Sequence, residues 1–504
     1  MKLFSLRLTT LKSKLYAIVI ASFVVRVVAF FALPNTPSYG PDEGTYAAAT
    51  NWTALGKPAT EFPFFGEGLY LAGRSFFLPT ALLNRIGFSP LDSVRVIASI
   101  YGFLIICLVT AVILQTASKH LQFSEFIKRN PLIFYSLYFV LTFLPSNFAW
   151  SVIGLRESAT SFWVISCFSF LFLISQLHKH LSLLLASGFL VSLTLVYSAR
   201  PQVGLILSAT LLLYLLIKIK ERTTRSLISI TIIGILLGYI TTAPSILEVK
   251  TTYVAILKPR LSVATVPSIV TAVPTSKKPI KPSQTRTTAT TSPTATTSTE
   301  ASASLLCASD HQEVILNGNK YICYSKVESK KSIELKNPGN VLLDQAQLIP
   351  YKHEVNKLGA ASAIKTLDCP FNLDSRINTY LCIAFRAPYT TYTFLVRPML
   401  GADVTSSSSL FAAVENVFWL AAFIFVVIMF IRNRRLAFFG ALAPSLLFFS
   451  IYSVAAGAYE GNMGTAFRHK SLILWVVLLL IASTIVATQQ RKAEQQGISG
   501  SSQE

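Results

Sequence analysis

Charge is scarce in this chain. Only 13% of its 504 residues are Asp, Glu, Lys or Arg, against about a quarter in an ordinary soluble domain. That deficit excludes a single soluble core wrapped in a polar shell. Acid is scarcer than base: 23 Asp and Glu stand against 44 Lys and Arg, for a net charge of +21. Histidine and cysteine number 6 each, with no CxxC pair and no His-rich run, so zinc-module spacing is absent. No glycine-rich loop of the nucleotide-binding kind occurs either.

What the chain has instead is apolar length. Hydrophobic residues make up 52% of it. Runs near 15–33, 93–116, 132–149, 159–176, 181–198, 202–219, 226–245, 409–431, 436–457 and 471–488 each approach the roughly 20 residues that cross a bilayer. The fold class expected is therefore an all-α polytopic membrane protein of about ten transmembrane helices. The surplus of basic residues tempts one towards nucleic acid, but these residues flank the apolar runs in alternate loops. Lys2, Arg7, Lys12 and Lys14 precede the first run. Lys128, Arg129, Lys179, Lys218, Lys220, Arg222 and Arg225 follow, then Arg432, Arg434, Arg435, Arg491 and Lys492. This positive-inside pattern puts both termini in the cytoplasm and excludes nucleic acid as the reason for the charge. The first run is too long for a secretory leader and lacks its small-residue cleavage site, so it is expected to be retained.

A large insert interrupts the runs at 246–408 and is expected to be extracytoplasmic. Its first part, 246–304, reads as a linker, because Thr265 to Ser304 is rich in Thr, Ser and Pro and has too little apolar surface to fold. Its second part, 305–408, has short alternating runs broken by turn signals, which predicts a small, mainly β module. Cys307, Cys323, Cys369 and Cys382 all fall there. Four cysteines allow three pairings, of which Cys307–Cys323 with Cys369–Cys382 is the simplest. The rest of the chain divides into a transmembrane domain with catalytic outer loops over 1–245, C-terminal transmembrane helices over 409–488 and a cytoplasmic tail over 489–504.

Three outward loops carry candidate chemistry. Asp42 and Glu43 adjoin the first run, at the depth where a lipid phosphate lies. Carboxylates there can serve as general base to a hydroxyl or as oxygen ligands to a divalent metal ion; a solvated loop pair is the plain alternative. Arg156 and Glu157 open the fourth run, where an acid also suits the helix dipole. Gly461 to Lys470 places Arg468, His469 and Lys470 together on the side that the positive-inside rule leaves poor in cations. A phosphate would explain them, since Arg offers a two-pronged fork; snorkelling to head groups is the alternative. Arg200 and Arg397 end outer segments and can add to an anion site. Glu415 and Arg26 lie inside predicted spans, where they can pair with each other or serve function. The mixed segment 67–87 predicts an amphipathic helix along the interface.

Pro41-Asp42-Glu43 followed by Tyr46, in the first outer loop, resembles the signature of GT-C integral membrane glycosyltransferases. Protein O-mannosyltransferases and lipid A aminoarabinose transferases belong to that class. The resemblance implies a catalytic role for Asp42 or Glu43, with Glu157 as second acid or metal ligand. Tyr46, Arg156, Arg200, Arg397, Arg468, His469 and Lys470 would contact substrate. It further implies a polyprenyl-linked sugar donor, membrane lipid around the site, a glycan, lipid or protein acceptor, and multi-pass placement in the cell membrane. Residues 144–157 also resemble bacterial polysaccharide-assembly membrane proteins. The Asn462 to Arg468 stretch resembles the ending of bacterial envelope proteins grouped with glycosyltransferases or polymerases. The insert at 246–408 matches no such pattern, and in this chain further helices follow it. A polysaccharide polymerase or ligase is the nearest rival reading. A transporter of lipid-linked sugars would need inverted repeats, which the halves do not display, and a bare membrane anchor would make Asp42, Glu157 and Arg468 dispensable.

Overall fold

The structure is a computed structural model, and it describes residues 2–36, 42–57, 73–119, 124, 127–128, 131–176, 179–217, 225–240, 313–316, 319–322, 367, 369–371, 376–404, 407–432, 443–460 and 464–473. The chain divides into two compact units. The smaller, Tyr253–Asn337, contains one antiparallel hairpin of β1 (Glu313–Leu316) and β2 (Asn319–Ile322), in which Val314 stands opposite Tyr321. The predicted linker over 265–304, and Cys307 and Cys323, lie outside the described residues.

The larger unit is helical. Its helices are α1 (Lys2–Ala32), α2 (Glu43–Ala54), α3 (Arg74–Arg85), α4 (Pro90–Lys119), α5 (Pro131–Phe143), α6 (Pro145–Val152), α7 (Glu157–Gln176) and α8 (Lys179–Ala199). They continue with α9 (Pro201–Ile217), α10 (Arg225–Ile240), α11 (Arg376–Val396), α12 (Ser407–Arg432), α13 (Ala443–Tyr459) and α14 (464–473). Three stretches, Leu11–Ala32, Pro90–Ser118 and Glu157–Ile174, are long and apolar enough to cross a membrane. Large apolar side chains stand exposed on several helices, among them Val28, Phe31, Leu132, Leu183, Leu205 and Phe411. In water such a surface would be an aggregation hazard; against lipid it costs nothing.

Local sequence explains where these helices start and stop. α4 begins at a serine cap: the Asp92 N–H donates to Ser89 Oγ at 3.0 Å, and the Ser89 hydroxyl in turn donates to Asp92 Oδ2 at 2.6 Å. Pro90 then stands at the first helical position, where its missing N–H is no loss. The single helix expected over 132–149 is in fact two. Pro145 forces Leu144 into an extended conformation (φ −53°, ψ 133°), so the helix breaks there. The N–H of Ser146 that the break exposes donates to Glu415 Oε2 at 2.8 Å, and the Trp419 indole donates to Glu415 Oε1 at 3.0 Å. The pairing of Arg26 with Glu415 considered from sequence is therefore replaced: Glu415 of α12 caps α6.

The segment between α1 and α4 contains α2 and α3. The amphipathic helix expected over 67–87 is found as α3; residues 67–72 lie outside the described residues. Phe76, Phe77, Thr80 and Ala81 of α3 are buried, and the two rings join Tyr46, Val94, Ile97 and Leu155 in one cluster. Burial of each ring contributes about 1.5–3 kcal/mol. Leu78, Leu82 and Ile86, at fourfold spacing, stay exposed on the other side. Such a stripe suits an interface between water and lipid. The Arg85 guanidinium donates to the Ala54 carbonyl at 2.8 Å, closing the end of α2.

The mainly β module predicted over 305–408 needs correction at its C-terminal part. Residues 376–396 form α11, despite their many β-branched and aromatic residues. Packing overrides propensity here. Thr390, Thr393 and Phe394 of α11 are buried. Gly457 of α13 lets the two backbones meet, since a Cβ there would lie 2.8 Å from the Thr390 carbonyl oxygen. Cys382 of α11 is disulfide-bonded to Cys369.

Candidate active site

The start of α2, the start of α7, the end of α8 and α14 meet. Asp42 precedes α2 without capping it, which leaves its carboxylate for a partner outside the helix. Glu157 opens α7 and is 1% exposed. The turn that delivers it depends on Gly154, which has φ +77° and whose Cβ would strike Val94 at 2.7 Å. The Leu155 N–H reaches back to the Trp150 carbonyl at 3.2 Å, the bond of a glycine-terminated helix end. Arg200 ends α8, just before the proline that starts α9. Arg468 comes from α14, which Phe467 seats edge-on against Trp150, ring centroids 6.4 Å apart.

Arg468 joins the parts. Its Nη1 donates to Asp42 Oδ2 at 2.5 Å, and its Nε lies 3.3 Å from Glu157 Oε1. Arg200 Nη2 lies 3.5 Å from the same Glu157 oxygen. Burial opposes charge on Arg468, but the Glu157 and Asp42 carboxylates outweigh it and hold the guanidinium above its ordinary value. Tyr46 is buried beside them with the Arg156 guanidinium over its ring, 5.8 Å from the centroid. Burial raises the Tyr46 phenol to about 12, Arg156 pulling it down and Glu157 and Asp42 pushing it up. It stays a neutral donor at physiological pH.

Arg156 differs from the other two arginines. Its Nε and Nη1 are buried and make no hydrogen bond. Such a group is costly unless something meets it. The cluster thus offers one outward carboxylate, Asp42, beside an arginine with donors to spare.

Other candidates have other duties. Glu43 is turned inward: Arg95 Nε donates to Glu43 Oε1 at 2.7 Å, and the two side chains are 0% and 1% exposed. Arg95 further donates to the carbonyls of Pro34 at 2.8 Å and Thr36 at 3.2 Å, tying the loop after α1 to α4. The catalytic role expected for Glu43 is corrected to a structural one. Lys470 is also corrected: its Nζ donates to the carbonyls of Leu395 at 2.9 Å and Arg397 at 2.8 Å and to Asn416 Oδ1 at 2.6 Å. It closes the C-terminal end of α11 and leaves no proton for a phosphate. His469 bonds Glu460 through Nδ1. Burial and Arg200 lower the His469 pKa against the pull of Glu460, so the ring is not a standing cation. Arg397 lies 3.6 Å from Asp403 and does not join the cluster.

Two buried residues escaped the sequence reading, Arg95 and Glu460. Both left a signal. Arg95 is a charge inside an apolar run, and Glu460 sits in the same short loop as Arg468. A divalent ion at Asp42 and Glu157 does not fit this arrangement, because Arg468 already stands between the two carboxylates. Among the described residues no group of three or more His, Cys, Asp or Glu side chains could hold a metal. Compared with known proteins, the chain matches no family, no curated protein and no solved structure.

Proposed function

We propose that the chain is a membrane glycosyltransferase resembling the GT-C class, moving a sugar from a polyprenyl-phosphate donor to an envelope acceptor. The observation that carries this reading is the meeting of Asp42 with Arg468, 426 residues apart in sequence, beside Glu157, Arg200 and Arg156, whose Nε and Nη1 make no hydrogen bond. In this reading ten spans anchor the protein, and the insert and the cluster face outward. Asp42 accepts the proton of an acceptor hydroxyl. The acceptor oxygen bonds the anomeric carbon as the bond from that carbon to the phosphate oxygen breaks. The phosphate leaves with the electron pair, and Arg156 neutralises it by a charge-assisted pair of hydrogen bonds, with Arg468 and Arg200 close by. Glu157 keeps Arg468 and Arg200 in place. Tyr46 supports Arg156 by offering its ring face.

The test follows sugar transfer from a polyprenyl-phosphate donor in membranes that contain the full chain. Arg156→Ala is expected to weaken donor use about tenfold or more through KM, because charged hydrogen bonds to the donor phosphate are lost. Parent protein that is folded and inert with every polyprenyl-phosphate sugar tried would end the transferase reading.

Orientation has its own test. A single cysteine placed at residue 290, in a background without the native cysteines, should react with a membrane-impermeant maleimide in intact cells. Reaction only after permeabilisation would put the insert, and with it the site, on the wrong side.

A further inference from the structure

α11 carries a surface that a place in an outer soluble module does not explain. Ile377, Leu381, Phe385, Pro388 and Tyr392 recur every three or four residues and all stand exposed, so they form one stripe along the helix. The stripe runs about 22 Å at the usual helical rise. Tyr392, near the end of α11, is still 53% exposed. In water an apolar face of this length is an aggregation hazard.

The opposite face fixes how deep α11 reaches. Thr390 meets Gly457 of α13, and the Phe394 ring meets the Tyr452 ring, centroids 6.4 Å apart. As α11 advances, its contacts on α13 move back along the chain, so the two helices run antiparallel. Tyr452 lies seven residues before the end of α13 at Tyr459, about 10 Å along the helix axis. α12 gives a similar depth. Asn416 of α12 donates to the Val396 carbonyl and to the Pro398 carbonyl, the latter at 3.2 Å. Asn416 lies nine residues beyond the start of α12 at Ser407, about 13 Å along its axis. Where α12 and α13 cross a bilayer, α11 therefore ends inside its outer half.

The end of α11 is built for such a place. The carbonyls of Leu395 and Arg397 receive Lys470 Nζ, at 2.9 and 2.8 Å, and those of Val396 and Pro398 receive Asn416. A helix end in water leaves its last carbonyls to solvent; at membrane depth the protein itself must meet them. The exposed apolar surface also continues onto α12, where Val414, Val417 and Phe418 flank Asn416.

We propose that α11 is a re-entrant helix, entering the outer leaflet and ending there, with its apolar stripe against lipid acyl chains. The chain then turns back to start α12 from the outer side, so the number of crossings is unchanged. The proposal rests on the reading of α12 and α13 as spans and on no residue given a role in sugar transfer.

Photocrosslinking of the full chain in its own membranes tests it. p-Benzoylphenylalanine replaces Phe385 or Tyr392, two aromatic side chains whose exchange changes little in shape. Phe418 of α12 is the lipid-facing reference and Thr290 of the insert the reference in water. Mass spectrometry of the irradiated protein reads the products. Phospholipid adducts are expected at Phe385 and Tyr392 in yields like that at Phe418, with none at Thr290. Tyr392 decides, being nearer the deep end; should that variant fail to fold, Phe385 decides in its place. Lipid adducts at Phe418 and none at the deciding position would overturn the proposal while leaving α12 a span. A covalent dimer through the deciding position, or a crosslink from it to residues 253–337, would overturn it too, since a second copy or the insert would then cover the stripe. Absence of lipid adducts at Phe418 would remove the span reading itself, and the proposal with it.

Discussion

Asp42→Asn in the full chain is expected to lower sugar transfer from a polyprenyl-phosphate donor by about 10²–10⁴, the usual cost of removing a general base. The amide keeps the shape and size of the carboxylate and loses its charge and basicity. The fold should tolerate the change. The side chains of Arg468 and Asp42 are 12% and 30% exposed, and a partly exposed ion pair of that kind contributes about 1 kcal/mol or less. Arg468 also keeps Glu157 as a partner at 3.3 Å. Protein abundance and melting temperature should therefore stay near those of the parent while turnover collapses. Transfer at the parental rate by a normally abundant Asp42→Asn variant would remove Asp42 from the mechanism.

Its immediate neighbour should behave in the opposite way. Glu43→Gln is expected to destabilise the protein by about 3–5 kcal/mol, the cost of breaking a buried ion pair and leaving one charge unpaired. The partner so stranded is Arg95, itself 1% exposed. Three anchor points depend on that guanidinium: Glu43, the Pro34 carbonyl and the Thr36 carbonyl. The visible result should be a steep fall in abundance and in thermal midpoint, with normal turnover per folded molecule. A double variant, Glu43→Leu with Arg95→Met, removes both charges and should recover much of the loss. Parental stability in Glu43→Gln would show that the pair contributes little. Two adjacent acids thus separate by outcome, one in rate and the other in stability.

The sequence made much of the helical frame legible, and for identifiable reasons. Apolar length and flanking Lys and Arg are one-dimensional properties, so helices at 93–116 or 181–198 could be placed within a few residues of α4 and α8. The break at Pro145 was equally local and could have been read from the proline; it was obscured by the unbroken hydropathy around it. α11 was harder. Its 21 residues carry strand-like side chains, and the packing that favours the helix, including the close approach of Gly457, comes from far along the chain. The site divides in the same way. That Asp42, Glu157 and Arg468 belong together was expected from charge alternation, and the three do meet. That Glu43 turns inward and Asp42 does not could not follow from it, because the difference lies in Arg95, a residue hidden inside an apolar run. Lys470 looked like a third cation for the same reason: composition shows a charge but not the carbonyls that absorb it.

The distance along the chain between Asp42 and Arg468 has a consequence for biogenesis. At ordinary rates of synthesis the ribosome needs roughly 20–90 s to travel those 426 residues. Throughout that interval the growing protein holds Asp42, and later Glu157, without Arg468; from residue 396 on it also holds α11 without the lysine that closes it. The segment that carries Arg468 and Lys470 is thus the keystone of an arch standing on scaffolding until the final stone is set. A transcript truncated anywhere before codon 468 yields a chain whose outer acids lack that arginine. Membrane proteases that survey unpaired charge would have a physical mark by which to distinguish the unfinished protein from the finished one.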